Sequence, residues 1–267
     1  MEFEQIKFEK MDGVGIITLN RPEARNALTP RMVEEIAEAI EECKKPDVRA
    51  VLLTGSGPGF CSGADLKLVV DTLENSGQEG LQEYIRKLAD ALHTKVVLGL
   101  RQLGKPVVAG INGVAAGAGF SLILGCDLRV AASNAQFLMA YANIGAPADG
   151  GSTYLLPRLI GAGRAMELYL ASQPTSAQAA LTMGLVTQVI DGAVLHRHAM
   201  EAAVRLAQGP TAAYAQVKAL FDSSWENDLK TQLDAETKAF ADICLTADFQ
   251  EGIRAFTERR QAQFQGK

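Results

Sequence analysis

The chain predicts an α/β fold that ends in a helical region, and three observations carry that prediction. Short apolar, β-branched runs alternate with stretches of helical spacing through most of the 267 residues. One such run passes into a helix through an almost side-chain-free stretch within Gly104–Asp127, and past Pro157 helical signals dominate. Repeated strand–helix–strand order builds crossover units on a parallel sheet, because each helix must return the chain to the same edge.

The elements follow in order. Phe3–Phe8 and Val14–Leu19 flank Met11-Asp12-Gly13, whose Asp-Gly pair supplies a turn, so they read as a hairpin. A loop opens at Asn20-Arg21-Pro22. Thr29-Pro30 starts a helix by capping and first-turn preference, Met32, Ile36, Ala39, Ile40 and Cys43 give its apolar face, and Pro46 ends it. Val48–Thr54 reads as a buried strand. The polar run Asp71–Gly77, between Leu66 and Gln78, carries turn formers and reads as a mobile loop or a helix end. Leu81–Leu103 reads as one long helix, since Leu81, Ile85, Leu88, Leu92, Val96 and Leu100 recur at helical spacing. Further strands fall at Pro106–Ile111, Asp127–Ala131 and Val186–Ile190. Helices follow at Arg164–Ala171, at Ala177–Met183 between a Ser176 cap and a Gly184 stop, and at Val194–Ala207, Ala212–Phe221 and Leu229–Leu245. Gly209-Pro210 cannot continue a helix, which divides the chain into a core at 1–208 and a helical C-terminal region at 209–267.

Composition narrows the function. A net charge of −5 without a dense basic run gives no electrostatic case for nucleic acid or a membrane surface. Cys43, Cys61, Cys126 and Cys244 follow no metal or disulfide spacing and read as free thiols. The first residues lack the basic start and apolar core of a signal peptide, so a cytoplasmic protein without a membrane span is expected.

The side-chain-free stretch is the most informative. After Pro106–Ala109 and the Asn112-Gly113 turn, Ala115-Ala116-Gly117-Ala118-Gly119 lets a ligand approach the backbone and presents unpaired N–H groups to it. Taken alone, the same glycines serve helix packing equally well. The dinucleotide fingerprint and the phosphate-loop motif are both absent. A second small-residue loop, Thr54 to Leu66, also follows an apolar run, and two such cradles suggest two donors to one oxygen.

Together with Asn20-Arg21-Pro22…Asn26-Ala27-Leu28, Gly59–Leu66, Lys105–Leu122, Cys126-Asp127 and Tyr154–Arg158, these loops make the chain similar to the crotonase, or enoyl-CoA hydratase/isomerase, superfamily nearly end to end. The resemblance implies a ββα spiral core, a C-terminal region that assembles a trimer or a dimer of trimers, and an acyl-CoA thioester substrate whose coenzyme A is the only cofactor. It places the two oxyanion donors at the backbone N–H groups of Ala64 and Ala118. The two glutamates that activate water in the family's hydratases fall on Ser121 and Tyr141, which are grouped here with the substrate-binding residues. A phenol has a pKa of about 10 and a serine hydroxyl is weaker still, so neither replaces a carboxylate base.

Asp149 is the carboxylate that remains nearby. Followed by Gly-Gly-Ser-Thr and an apolar stretch, it reads as a helix N-cap; its spacing also resembles that of the acid/base aspartate in 1,2-epoxyphenylacetyl-CoA isomerases and related double-bond isomerases. Pro147-Ala148-Asp149 departs from the usual Pro-Asp pair. The position also matches the nucleophilic aspartate of 4-chlorobenzoyl-CoA dehalogenases, with Tyr141 where those have tryptophan and His93 near their histidine base; on its own, one His on such a helix reads as a packed or surface residue. Coenzyme A contacts are implied at Arg25, Ala27, Ala64, Asp65 and Leu66, with Asp65 equally readable as a cap. Phe256 and Lys267 lie in a tail that resembles one holding a neighbouring subunit's adenine and phosphate, or else form a solvated helix end. The expectation is an acyl-CoA isomerase working through Asp149. The alternatives are a hydratase or dehalogenase/hydrolase of the same superfamily, and a CoA-ester-binding protein that has lost catalysis.

Overall fold

The strand signals resolve into two sheets. The computed structural model describes residues 3–267, so Met1 and Glu2, which open the expected 1–208 core, lie outside it. A hairpin, β1 (Ile6–Met11) and β2 (Val14–Leu19), leads into helix α1 (Pro30–Cys43), strands β3 (Ala50–Gly55) and β4 (Gly59–Cys61), and helix α2 (Leu66–Ala91). A π-helical turn, Leu92–Val97, joins α2 to α3 (Leu98–Gln102); β5 (Val107–Ile111), β6 (Val114–Ala116) and α4 (Ala118–Leu124) follow. Next come β7 (Leu128–Ala132), β8 (Gln136–Leu138), a 3-10 turn at Ala140–Ile144, α5 (Ser152–Ile160), α6 (Ala162–Ala171), β9 (Thr175–Ser176) and α7 (Ala177–Thr182). β10 (Gln188–Ile190), α8 (Leu195–Ala207), α9 (Thr211–Ser223), α10 (Leu229–Ile243) and α11 (Ala247–Glu258) complete the chain.

The larger sheet has the order β1-β2-β3-β5-β7-β10, antiparallel only between β1 and β2. Its central strands β3 and β5 are buried almost end to end, as expected of parallel strands covered on both faces. The smaller sheet, β4-β6-β8-β9, has no counterpart among the strands expected from the sequence. Its strands have two or three residues each, too few for a period to show. It nevertheless sets the site, because Cys61 pairs with Ala115 in parallel register, and three residues beyond each partner stand Ala64 and Ala118.

Two helix expectations need correction. Residues 66–78 are not a loop: α2 runs through them, capped by Asp65, whose carboxylate accepts from the Lys67 N–H at 3.2 Å. The turn formers do leave a mark, a kink at Gly77 with φ 66° and ψ −169°. Such dihedrals suit only a residue without Cβ. The helix expected at 81–103 is instead interrupted by the π turn, which keeps the apolar spacing near helical and so escapes periodicity. At the C-terminal end, α9 joins α8 across Gly209-Pro210. The Arg49 guanidinium donates to the Gly209 carbonyl at 2.6 Å, to Thr211 Oγ1 at 3.1 Å and to the Phe264 carbonyl at 3.0 Å.

Among the described residues no helix is long and apolar enough to cross a membrane. Cys43, Cys61 and Cys126 are buried and Cys244 is half-buried. Burial pushes each of the first three thiols up from 9.0 to about 12. A group whose pKa is raised by folding favours the fold below its unfolded pKa, so stability from these thiols is complete below pH 9 and is lost as pH rises toward 12. In native protein at pH 8 an aromatic disulfide reagent is expected to titrate Cys244 at most, and all four thiols after denaturation. Rapid reaction of two or more native thiols would contradict this burial.

Candidate active site

The first Gly-rich turn is held by two asparagines. Asn26, fully buried and left-handed at φ 55°, shares its two amide hydrogens among the carbonyls of Ser56, Gly59 and Phe60 at 2.9–3.1 Å, and its Oδ1 accepts from the Arg21 N–H at 2.8 Å. Asn112 donates to the carbonyls of Gly57 and Gly59 at 2.9 and 3.1 Å. The second turn meets the first backbone to backbone. A methyl group at Gly119 would stand 2.3 Å from the Cys61 carbonyl oxygen, and one at Gly63 would stand 2.9 Å from the Ala116 oxygen and 3.3 Å from the Ala118 nitrogen. Only glycine permits this approach. The N–H groups of Ala64 and Ala118 donate to no acceptor among the described residues. Ala118 is moreover the first residue of α4, where an N–H lacks an intrahelical partner and the helix dipole favours negative charge.

Both alanines line one small cavity of about 60 Å³, together with Leu28, Ile85, Leu88, Ala89, Leu92 and Asp149. Asp149 is the sole charged group on that wall. Its carboxylate caps no helix: α5 is capped by Gly151 without a side-chain bond. Gly150 and Gly151, at φ 60° and 76°, turn the chain between Asp149 and the helix. The carboxylate Oδ1 accepts from the Tyr141 hydroxyl at 2.7 Å, and Oδ2 lies 3.6 Å from His93 Nε2. The Asp149 main-chain carbonyl accepts from the Ser152 N–H and hydroxyl at 3.1 and 2.7 Å and from the Ser121 hydroxyl at 2.8 Å.

His93, on the π turn, is thus part of the site. Its Nε2 accepts the Gly150 N–H at 3.0 Å, which places its ring proton on Nδ1. Only the π turn, a feature common at functional sites, distinguishes it from an ordinary helical histidine. Ser121 and Tyr141 stand behind Asp149, not on the cavity wall: Ser121 is fully buried, and its Oγ is 2.8 Å from the Tyr141 oxygen. Burial first, and the Asp149 charge second, raise the Tyr141 phenol well above its ordinary value, so it keeps its proton.

The residues implied in coenzyme A contact are more dispersed. Asp65 caps α2 and pairs with Arg21 at 3.0 Å, beside a polar groove of about 540 Å³ that also includes Arg31 and Lys67. Arg25 and Leu66 are exposed and Ala27 is buried. Phe256 is 84% exposed on α11, and the Lys267 carbonyl accepts the Asp248 N–H; neither lines the cavity or the groove.

The family model described as enoyl-CoA hydratase/isomerase matches residues 9–267. The chain belongs to the enoyl-CoA hydratase/isomerase family. It is 39% identical to the 1,2-epoxyphenylacetyl-CoA isomerase of Escherichia coli and 34% identical to the short-chain-enoyl-CoA hydratase of Clostridium acetobutylicum, covering 100% and 98% of both partners respectively. A solved structure of an enoyl-CoA hydratase from Bacillus anthracis superposes with a TM-score of 0.90 at 34% identity, over 99% of this chain and 100% of that one. The two sheets and their spiral of helices are therefore the crotonase fold, and the cavity holding Ala64, Ala118 and Asp149 is this family member's candidate centre.

Gly119→Ala tests the interlock of the two turns. The added methyl must push α4 off Cys61 at a cost of about 1–3 kcal/mol, and it displaces the Ala118 N–H from its place beside Ala64. If the Ala118 N–H is the oxyanion donor that the resemblance implies, turnover of an acyl-CoA substrate is expected to fall at least about tenfold at saturation, because such a donor acts mainly in the transition state. Melting temperature and kcat measured together check this, and an unchanged kcat would count against the alignment of the two donors.

Proposed function

We propose that the protein is an acyl-CoA isomerase that moves a double bond, with Asp149 carrying the proton. The observation behind this reading is that the cavity holds one carboxylate and two free N–H donors. Addition of water by the family's two-carboxylate route needs a pair of acidic groups around one water, and here a buried hydroxyl and a phenol stand at the paired positions. Proton transfer between two carbons of one substrate needs a single base.

The thioester oxygen binds between the N–H groups of Ala64 and Ala118. Asp149 removes a proton from the carbon that conjugates with the carbonyl, the electron pair moves onto the thioester oxygen, and the two N–H groups stabilise the resulting enolate. Conjugated with the C3–C4 double bond, this enolate is a dienolate, and the carboxyl, after exchanging its proton with solvent, protonates it at C4, which leaves the double bond at C2–C3. Leu28, Ile85, Leu88, Ala89 and Leu92 keep the cavity apolar, which favours carbon acidity over hydration of the intermediate. Lys67 supplies positive charge for the phosphates of coenzyme A on a groove whose Arg21 and Arg31 are paired with Asp65 and Glu35, and the chemistry calls for no other cofactor.

A hydrolase or dehalogenase reading draws on the 3.6 Å approach of His93 to Asp149. It is weaker, because the Nε2 lone pair that would take a proton from water already accepts from Gly150. The binding-only reading is weaker too, since the Asp149 carboxylate is not used as a cap. Exposed apolar side chains on α9 to α11, including Phe221, Trp225, Leu229, Phe240 and Phe256, support assembly into a trimer or a dimer of trimers through the C-terminal region. A cytoplasmic setting suits the buried free thiols.

In deuterated water, 3-enoyl-CoA is expected to give 2-enoyl-CoA carrying solvent deuterium at carbon. Asp149→Asn is expected to lower the rate at least about 100-fold, as for loss of a general base. A product heavier by one water would favour a hydratase, and full activity in the variant would remove Asp149 from the chemistry. Sedimentation equilibrium is expected to give three or six copies per particle; a monomer at micromolar concentration would contradict the assembly.

A further inference from the structure

Resting on the reading of Asp149 as the proton carrier, we infer that His93 is a positioning residue: its Nε2 takes the Gly150 N–H and so fixes the peptide plane from which the Asp149 carboxylate reaches the cavity.

The plane between Asp149 and Gly150 is gripped at both of its polar ends. Its oxygen accepts from the Ser121 hydroxyl at 2.8 Å and from the Ser152 N–H and hydroxyl at 3.1 and 2.7 Å; its N–H donates to His93 Nε2 at 3.0 Å. A peptide plane is rigid and turns only about the bonds that join it to the two flanking α-carbons. One of these belongs to Gly150, at φ 60°, which Gly151 follows at φ 76°, and glycine offers such rotation little steric resistance. Glycine is required there, since a methyl group at Gly150 would stand 2.6 Å from Ser121 Cβ. What backbone sterics leave loose, hydrogen bonds must hold. The three bonds to the oxygen meet at one atom, about which the plane can still pivot, and the bond to His93 supplies the second fixed point. The Gly150 N–H has no other acceptor among the described residues.

The carboxylate has little hold of its own. Tyr141 donates to Oδ1 at 2.7 Å, and Oδ2, the oxygen left to exchange a proton, has no donor among the described residues. A pivot of the peptide plane moves the Asp149 α-carbon and swings Oδ2 off the carbon it must reach. Misplacement by about 1 Å at a reacting atom can lower a rate by about 100-fold.

The chemistry of the contact sets the role apart from that of a base. A main-chain N–H only donates, so Nε2 is the ring nitrogen without a hydrogen. With Asp149 ionised, Nε2 and Oδ2, 3.6 Å apart, are both acceptors and share no hydrogen. His93 therefore does not bind the carboxylate and acts on it through the main chain. The π turn Leu92–Val97 carries the ring to this place, and the ring is not part of the cavity wall.

His93→Leu and His93→Gln separate positioning from proton transfer. Both replacements suit a helical turn. Leucine removes the acceptor, whereas the glutamine amide oxygen stands as many bonds from the backbone as Nε2, so it accepts the Gly150 N–H but cannot serve as a base. For 3-enoyl-CoA isomerisation His93→Leu is expected to lower kcat about tenfold with KM changed less than about twofold, and His93→Gln to regain kcat to within about threefold of wild type. Hydrogen exchange at the Gly150 amide, read without substrate, is expected to be slow in wild type and in His93→Gln and at least about tenfold faster in His93→Leu. Equal loss of kcat in the two variants would make His93 a base and overturn the inference. So would an unchanged kcat in His93→Leu, or a Gly150 amide that exchanges as fast in wild type as in that variant. If His93→Leu does not fold, His93→Phe, which keeps a ring without nitrogen, decides by the same readouts. Asp149→Asn run alongside keeps the two failures apart: full activity in it removes the proton-carrier reading and the positioning role together, whereas its inactivity beside a fully active His93→Leu removes the positioning role alone.

Discussion

Everything at this site depends on two backbones meeting without a Cβ between them. Gly119 against Cys61, Gly63 against Ala116, and Gly113, whose methyl would stand 2.1 Å from the Pro58 oxygen, are three such contacts. The contacts at Gly119 and Gly63 lock the chain leaving β4 to the chain leaving β6, and the contact at Gly113 locks the turns that lead into these strands. The parallel pairing of those strands, with a bulge between Gly59 and Cys61 that brings Cys61 opposite Ala115, then fixes where Ala64 and Ala118 stand, three residues beyond each partner. Buried side chains cannot set such positions as closely, since they have rotamers and a paired backbone has none. Asn26 and Asn112 add to this by satisfying the carbonyls that the sharp turn turns inward.

Asp149 divides its work between main chain and side chain. Its carbonyl takes the role at the start of α5 that a capping side chain would have, gathering Ser152 N–H and Oγ. That frees the carboxylate to point away from the helix toward the cavity. The two left-handed glycines that follow allow this division, because the chain turns within two residues. The carboxylate is instead held at Oδ1 by the Tyr141 hydroxyl, and Oδ2 has no hydrogen-bond donor among the described residues.

Much of this was legible in the sequence, and the exceptions have identifiable causes. The hairpin, α1 with its Thr29 cap, the parallel strands and the helical C-terminal region follow from periodicity and punctuation, and both cradles stood out because side-chain-free stretches beside strands are uncommon. The second sheet did not, for want of length. Residues 71–77 misled because Asn75, Ser76 and Gly77 are turn formers by habit, whereas helix on both sides confined their effect to one residue. His93 was ambiguous because a π turn preserves the apolar stripe while rotating one polar side chain toward the site. For Ser121 and Tyr141 position was legible but orientation was not, and the cap reading of Asp149 failed on the hydrogen-bond needs of its own carbonyl.

The cavity has walls of unequal standing. All seven residues of α4 are buried, whereas Leu88 alone is buried among the 26 of α2. Burial of this kind places the two walls at opposite ends of the stability range within a fold: a fully buried helix such as α4 opens with the core, whereas an exposed one such as α2 before Leu88 has few buried contacts to oppose local opening. Gly77 marks where that opening can break without disturbing the half that carries Leu88. A 60 Å³ cavity can thus enlarge on one side while the donors on the other stay fixed. The wall that carries the Ala118 N–H is the rigid one, and the wall built from α2 is the compliant one.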